Sequence, residues 1–321
     1  MRAVTIRDGK LLLAEHPDPE PGTREVLVRV HAAGINGADL HQLAGRYPAP
    51  PGDPQDIPGL ELAGEVAALG PVATRFRVGD RVMAIVGGGG QAELATVNER
   101  MLMPVPAPLD WIAAGALSEV FTTAHDALFT QARLQPGERL LVHGGAGGVG
   151  TAAIQLGRAA GARVHATVRN PDLREQVAAL GGHGISSASG VVVIPCEGFA
   201  EHGPFDVILE LVGAPNLPED LQALDTLGRI AVIGIGAGAT AELNVGLMMV
   251  KRAQLMASTL RARPLEDKAL TARAMERSVL PLFASGALTV PIAATYPLEQ
   301  AAAAYDRFAA GGKLGKIVLT I

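Results

Sequence analysis

Apolar residues in the first 115 positions come in short runs, Arg2–Ile6, Leu11–Ala14, Glu25–Ala33, Ala63–Leu69 and Arg81–Ile85. Proline and glycine clusters divide them, notably Pro17-Asp18-Pro19-Glu20-Pro21-Gly22 and Pro48-Ala49-Pro50-Pro51-Gly52. Short apolar runs between turn residues predict β-strands, since proline cannot donate to a strand ladder. One short helix is expected over about Ala38–Ala44.

The pattern changes near residue 119. Strand-like runs Leu140–Val142, Arg163–Val168, Val191–Ile194, Val207–Leu211 and Arg229–Ile233 now alternate with helical stretches. That alternation predicts a parallel, doubly wound sheet. Beyond it come a strand Met256–Leu260, a helix from about 265 that Pro281 kinks or ends, a helix near Leu298–Ala310 and a last strand Lys316–Ile321. The tail is expected to return to the first domain. The expected fold is therefore α/β: a β-rich domain of residues 1–118 and 257–321, and a parallel-sheet domain of residues 119–256.

The stretch Leu140 to Gly150 carries the first chemistry. Gly145, Gly147 and Gly150 stand in G-x-G-x-x-G spacing, after a strand and at the head of a helix over 148–160. Such a turn brings backbone close to a pyrophosphate, and the helix N-terminus supplies free N–H groups and a favourable dipole. Gly145, Ala146, Gly147, Gly148 and Val149 are the expected phosphate cradle. With 39 glycines the motif alone is weak. Strand, loop, helix and second strand in order make it the opening of a Rossmann unit. The second strand ends Thr167-Val168-Arg169-Asn170, without the acid that usually binds an NAD ribose. Arg169 and Arg174 are placed to meet a 2′-phosphate, and Asn170-Pro171 can start the next helix. NADPH is expected over NADH. Solvated surface arginines are the plain alternative.

Composition narrows the rest. The net charge is −5 with no basic block, which argues against a nucleic-acid surface. The single cysteine, Cys196, excludes an intrachain disulfide and a thiolate zinc cluster. No apolar run reaches a membrane span, and the N-terminal segment lacks a secretory apolar core. A cytoplasmic protein is the default expectation.

Several segments together point to a family. They are Ala33-Gly34-Ile35-Asn36-Gly37-Ala38-Asp39-Leu40, Pro58-Gly59-Leu60-Glu61-Leu62-Ala63-Gly64, Val78-Gly79-Asp80-Arg81-Val82, His143–Gly150, Val212-Gly213 and Gly315-Lys316-Ile317-Val318-Leu319. In these the chain resembles the zeta-crystallin-like quinone oxidoreductase branch of the medium-chain dehydrogenase/reductase superfamily, over nearly its whole length. The resemblance implies a GroES-like catalytic domain beside a Rossmann domain, a site in the cleft, and a homodimer. The loops Gly45-Arg46-Tyr47-Pro48 and Gly88-Gly89-Gly90-Gln91 resemble those of one group of members. Two departures stand out. Arginines replace the usual Gly-Ser/Thr set at 169–170, and the stretch 181–204 is short and lacks an Asn-Tyr dipeptide.

Zinc-dependent members of the superfamily place ligands where Asn36, Leu60 and Glu119 stand. Leu60 offers no donor, so no metal is expected. Losing the metal restricts the reaction. A simple ketone would yield an alkoxide, with basicity near that of hydroxide, about pKa 15.7. A quinone yields a phenolate-like oxygen near pKa ~10, a difference worth at most about 8 kcal/mol. Quinones and activated enones are thus the expected acceptors.

Tyr47 is one of three tyrosines and is expected to border the nicotinamide and donate a hydrogen bond or proton. An aromatic plug is its alternative. Asn36 can donate from its amide or simply hold a local turn. The resemblance implies nicotinamide-side contact for Thr123, against an N-cap role. It also implies positions near the cofactor for Gly234, Leu260 and Lys316, the last equally readable as strand-edge charge. His143 is expected to bond backbone, Glu61 to be structural, Glu210 to mark a ligand-binding strand end or a satisfied loop acid, and Cys196 to fill apolar space. The expected activity is NADPH-dependent quinone or enone reduction. The alternatives are an enoyl-thioester reductase of the same superfamily and a non-catalytic, crystallin-like protein binding NADPH or RNA.

Overall fold

The computed structural model describes residues 1–180 and 190–321. Part of the stretch noted above for its missing Asn-Tyr pair, residues 181–189, lies outside the described residues.

The N-terminal half builds on one long strand, Glu25–Ile35. Val26, Val28 and Val30 are buried while Arg29 between them is exposed, the period-two pattern of a one-sided sheet. It pairs antiparallel with Glu61–Leu69, with Leu94–Asn98 and with the C-terminal strand Lys316–Thr320. The sheet runs Ile292–Pro297, Lys316–Thr320, Glu25–Ile35, Glu61–Leu69, Arg81–Ile85, Met103–Pro104. The tail therefore does return to the first sheet. Strands Leu94–Asn98 and Ile292–Pro297 were not foreseen; the second alternates only partly buried residues with alanine and threonine, a weak apolar signal.

The second sheet is parallel throughout, ordered Val192–Ile194, Arg163–Thr167, Arg139–Val142, Phe205–Glu210, Leu224–Val232, Gln254–Ala257. Relative to chain order this is 3-2-1-4-5-6, which places a crevice between the first and fourth strands. Leu140, Leu141, Val142, Val207, Ile208 and Leu209 are all buried, because helices or loops cover both faces. Leu140, Val142, Val207 and Leu209 face one core, whereas Leu141 and Ile208 face another. The strand expected at Met256–Leu260 lies earlier, at Gln254–Ala257, and forms the outer edge of this sheet. Ser278 ends the helix Leu265–Ser278, and Pro281 sits in the first turn of a separate helix, Leu280–Ala284.

Candidate active site

The glycine turn forms as the spacing predicts, with one shift. The left-handed residue is Gly144 (φ 68°), not Gly145, so the tight bend precedes the motif. Gly150 has no room for a side chain, because an added Cβ would lie 2.3 Å from the Gly144 carbonyl oxygen. Gly147 is the extended N-cap of the helix Gly148–Ala159, whose first turn carries no acid. The N-terminal N–H groups of that helix are the ready anion site. Gly144 and residues 146–149 stay partly exposed while Gly145 and Gly150 are buried. This cradle fits a dinucleotide pyrophosphate.

Arg169 is exposed at the end of strand Arg163–Thr167, and no hydrogen bond or ion pair engages it among the described residues. Arg174 is exposed, with its Nε donating to the Val168 carbonyl at 3.3 Å. Asn170 accepts from the Asp172 N–H at 3.1 Å and caps the turn Pro171–Leu173, so its side-chain oxygen already has a partner. The glycine loop is also stitched to the C-terminal strand: Gly315 N–H donates to the Ala146 carbonyl at 2.8 Å. Gly148 meets the Lys316 stem and Val120, each 2.8 Å from where its Cβ would be.

That stitching brings Lys316 into the cleft rather than toward phosphate. Its Nζ donates to the Ile35 carbonyl at 2.8 Å and to Asn36 Oδ1, and pairs with Glu61 Oε1 at 2.7 Å. The Asn36 amide donates to the same Glu61 oxygen at 3.0 Å. All three side chains are buried. Glu61 fits only because Gly34 lacks a side chain; a Cβ there would lie 2.3 Å from Glu61 Oε1. Lys316 is therefore not an edge charge, because three oxygens already hold its ammonium.

Helix Ser118–His125 adds the fourth wall. Glu119 N–H donates to Glu61 Oε2 at 2.9 Å, and Thr123 Oγ1 donates to Glu119 Oε1 at 3.1 Å. Thr123 thus bonds a side chain inside the helix and caps nothing. Burial pushes the Glu119 carboxyl up to about 7, Lys316 opposing and Glu61 adding to the rise. Burial also lifts Asp39 to about 6, although the Asn36 and Gly59 N–H groups bond it.

Tyr47 is partly exposed at this cleft, and burial raises its hydroxyl above the usual value. The group that fixes it was not foreseen. Arg261, buried, donates to the Tyr47 carbonyl (2.7 Å), the Gly87 carbonyl (2.7 Å) and Gln42 Oε1 (2.6 Å). Its guanidinium lies 4.9 Å from the Tyr47 ring centroid. Nothing in local sequence marks this arginine. Leu260 beside it lines a small cavity with Ile85, Met103 and Thr122. Gly234 lies at the strand end, its N–H donating to the Glu210 carbonyl at 3.1 Å.

His143 behaves differently from the expectation. It bonds side chains, with Nδ1 3.1 Å from Thr167 Oγ1 and Nε2 2.8 Å from Asp220 Oδ1. Glu210 Oε2 lies 4.0 Å away, and Glu210 accepts from the Val212 and Gly213 N–H groups and from Asn216 Nδ2. Glu210 is thus a satisfied acid. His143, Glu210 and Asp220 offer ligand-type atoms within 4.8 Å of one another, but behind the loop, outside the cleft. Cys196 is exposed, not an apolar filler. A groove of about 660 Å³ lined by Phe76, Pro104, Val105, Leu280 and Pro281 shares no residue with the cleft.

Residues 22–107 match the alcohol dehydrogenase GroES-like domain, and residues 190–319 match the family described as zinc-binding dehydrogenase. The whole chain is 32% identical to the quinone oxidoreductase of Rattus norvegicus, covering 98% of it. It is 30% identical to a mycocerosic acid synthase-like polyketide synthase of Mycolicibacterium smegmatis, covering 15% of that protein. A quinone oxidoreductase of Pseudomonas syringae pv. Tomato DC3000 superposes with a TM-score of 0.87 at 27% identity, over 100% of this chain and 99% of the other. The donor set does not fit a catalytic zinc. Leu60 has no donor atom, the Asn36 amide is committed, and the Lys316 ammonium already fills the place of a cation.

Proposed function

Because the chain belongs to the zinc-independent quinone oxidoreductase branch of the medium-chain dehydrogenase/reductase superfamily, we propose that it is an NADPH-dependent reductase of quinones or activated α,β-unsaturated carbonyls. One observation carries this reading: Asn36, at a position where zinc-dependent members carry a ligand, is tied up by buried Glu61 and Lys316. A site without a Lewis acid suits acceptors that spread developing charge by conjugation. When bound, the dinucleotide supplies the hydride. The chain's own groups orient and protonate. The partly exposed cradle at 146–149 takes the pyrophosphate, and the unpaired Arg169, with Arg174, takes the 2′-phosphate. Arg261 holds Tyr47 against the cleft, where its hydroxyl orients the acceptor oxygen.

No helix among the described residues is long and apolar enough to cross a membrane. The exposed edge strand Gln254–Ala257, beside exposed Val245, Met249, Val250 and Leu255, supports a homodimer formed through that edge. The match to one stretch of a polyketide synthase favours a second reading, in which the acceptor is an enoyl thioester.

The test is nucleotide oxidation with benzoquinones, naphthoquinones, enones and an enoyl thioester. Activity with quinones or enones and NADPH is expected. Arg169→Ala should raise KM for NADPH about tenfold or more, the worth of one or two charge-assisted hydrogen bonds, and leave KM for NADH unchanged. An equal KM for both nucleotides in the wild type would overturn the 2′-phosphate assignment. Turnover confined to the thioester would favour the second reading.

A further inference from the structure

Lys316 and three carboxyl groups cluster in the cleft, while the nearby Arg261 is committed to the Tyr47 and Gly87 carbonyls and to Gln42. Lys316 contacts Glu61 directly, and that carboxylate also accepts from Asn36 and from the Glu119 N–H. Asp39 is held by two backbone N–H groups. Glu119 has one side-chain donor, Thr123, and its helix abuts the glycine loop through Val120 and Gly148. The single ammonium is spent on Glu61. A proton retained in this cluster therefore belongs on Glu119, the carboxyl least supplied with donors and partly open to the cleft.

We propose that Glu119, held by Thr123, is the general acid that protonates the acceptor during reduction. This rests on the hydride-transfer reading above. The acceptor carbon takes hydride, with both electrons, and the π pair moves onto the acceptor oxygen. The Glu119 O–H bond breaks as the new O–H bond forms. The nicotinamide is oxidised by two electrons, the acceptor is reduced by two, and water returns a proton to Glu119.

The surrounding groups support the assignment. Glu61 and Asp39, on neighbouring elements, disfavour a second negative charge, Lys316 favours it, and burial decides the balance. The result is a carboxyl near neutrality, where a general acid works best. The Tyr47 hydroxyl, raised by its own burial, holds its proton far more tightly at that pH. It orients better than it donates.

The test pairs kinetics with spectroscopy. Infrared titration of the protein without nucleotide should show a neutral carboxylic acid that ionises near pH 7 and is missing in Glu119→Gln. With NADPH and a quinone, Glu119→Gln should lower kcat by about 100-fold or more, while nucleotide Kd stays within about threefold. The fall in rate above pH 7 should vanish in that variant and persist in Glu119→Asp, at a lower rate. A wild type active with quinone beside an equally active Glu119→Gln overturns the assignment alone. So does the absence of a neutral carboxyl at pH 6. A wild type inactive with every acceptor defeats the hydride-transfer reading and takes this assignment with it.

Discussion

Two buried polar clusters lie on opposite sides of the glycine loop, and they solve the same electrostatic problem differently. In the cleft, Glu61, Glu119 and Asp39 surround the Lys316 ammonium. Behind the loop, Asp220 and Glu210 surround the His143 ring. The first is assembled from four distant stretches of chain; the second belongs to the parallel-sheet domain alone. The ammonium is committed to Glu61, which leaves the cleft-facing Glu119 with Thr123 as its side-chain donor. The histidine ring, bonded at both nitrogens, serves as a brace. Through Thr167, whose hydroxyl bonds His143 and also accepts from the Gly144 N–H at 3.3 Å, that brace sets the turn of the loop.

The largest test of this contrast removes the Lys316 ammonium. Lys316→Met leaves Glu61 buried without its counter-charge and should cost about 3–5 kcal/mol of stability, read from the denaturant midpoint. Adding Glu61→Gln should recover part of that loss. If the single variant is as stable as the wild type, Lys316 and Glu61 are not the electrostatic centre of the cleft.

A second test uses pH. Glu119 titrates at 4.5 when unperturbed and near 7 in the folded chain. The folded state then binds the proton more tightly. This contribution to stability is full below about pH 4.5 and is lost as pH rises through 7, by at most about 3 kcal/mol. The Glu119→Gln variant should lose that decline. Burial raises Asp220 in the same direction, with His143 opposing, so Asp220→Asn should flatten an acidic-side decline of its own. Melting temperatures across pH 4–8 for wild type and each variant separate the two. A wild-type curve that rises between pH 5 and 7 would reverse the sign assigned to both acids.

Why the loop could be read from sequence and the clusters could not is a matter of range. The turn at 143–150 depends on neighbours in the chain: strand, glycines and helix start all lie within one unit. Even there the bend moved to Gly144, because position φ depends on how the strand meets the helix. The sequence leaves Lys316 readable as edge charge as well as a residue near the cofactor, because its partners Ile35 and Asn36 are about 280 residues away. Arg261 reaches Gly87, Tyr47 and Gln42 across 174, 214 and 219 residues. Some signals were present. Glu119 stands where zinc-dependent relatives carry a ligand, a place where an acid asks for an explanation. Asp220 sits on the apolar face of helix Leu217–Ala223, between buried Leu217 and Leu221, where an acid must have a partner. Such misplacements name the residue but not the partner, which only the assembled sheets supply.

The smallest expected effect is the most discriminating. Thr123 donates one hydrogen bond to Glu119 and lowers its tendency to hold a proton. Thr123→Val keeps the shape and removes the donor, at a cost of about 1 kcal/mol in stability. The pH at which rate falls should move upward, by less than about one unit, because that bond favours the ionised carboxyl. Thr123→Ser should restore the wild-type profile. If Thr123 instead only touches the nicotinamide, the valine variant raises KM for the nucleotide and leaves the profile in place. A moved profile with unchanged KM ties the Lys316 cluster to proton transfer. The histidine cluster, which reaches the cleft only through the loop, should show the opposite split: Asp220→Asn should weaken nucleotide binding without moving the limb above pH 7.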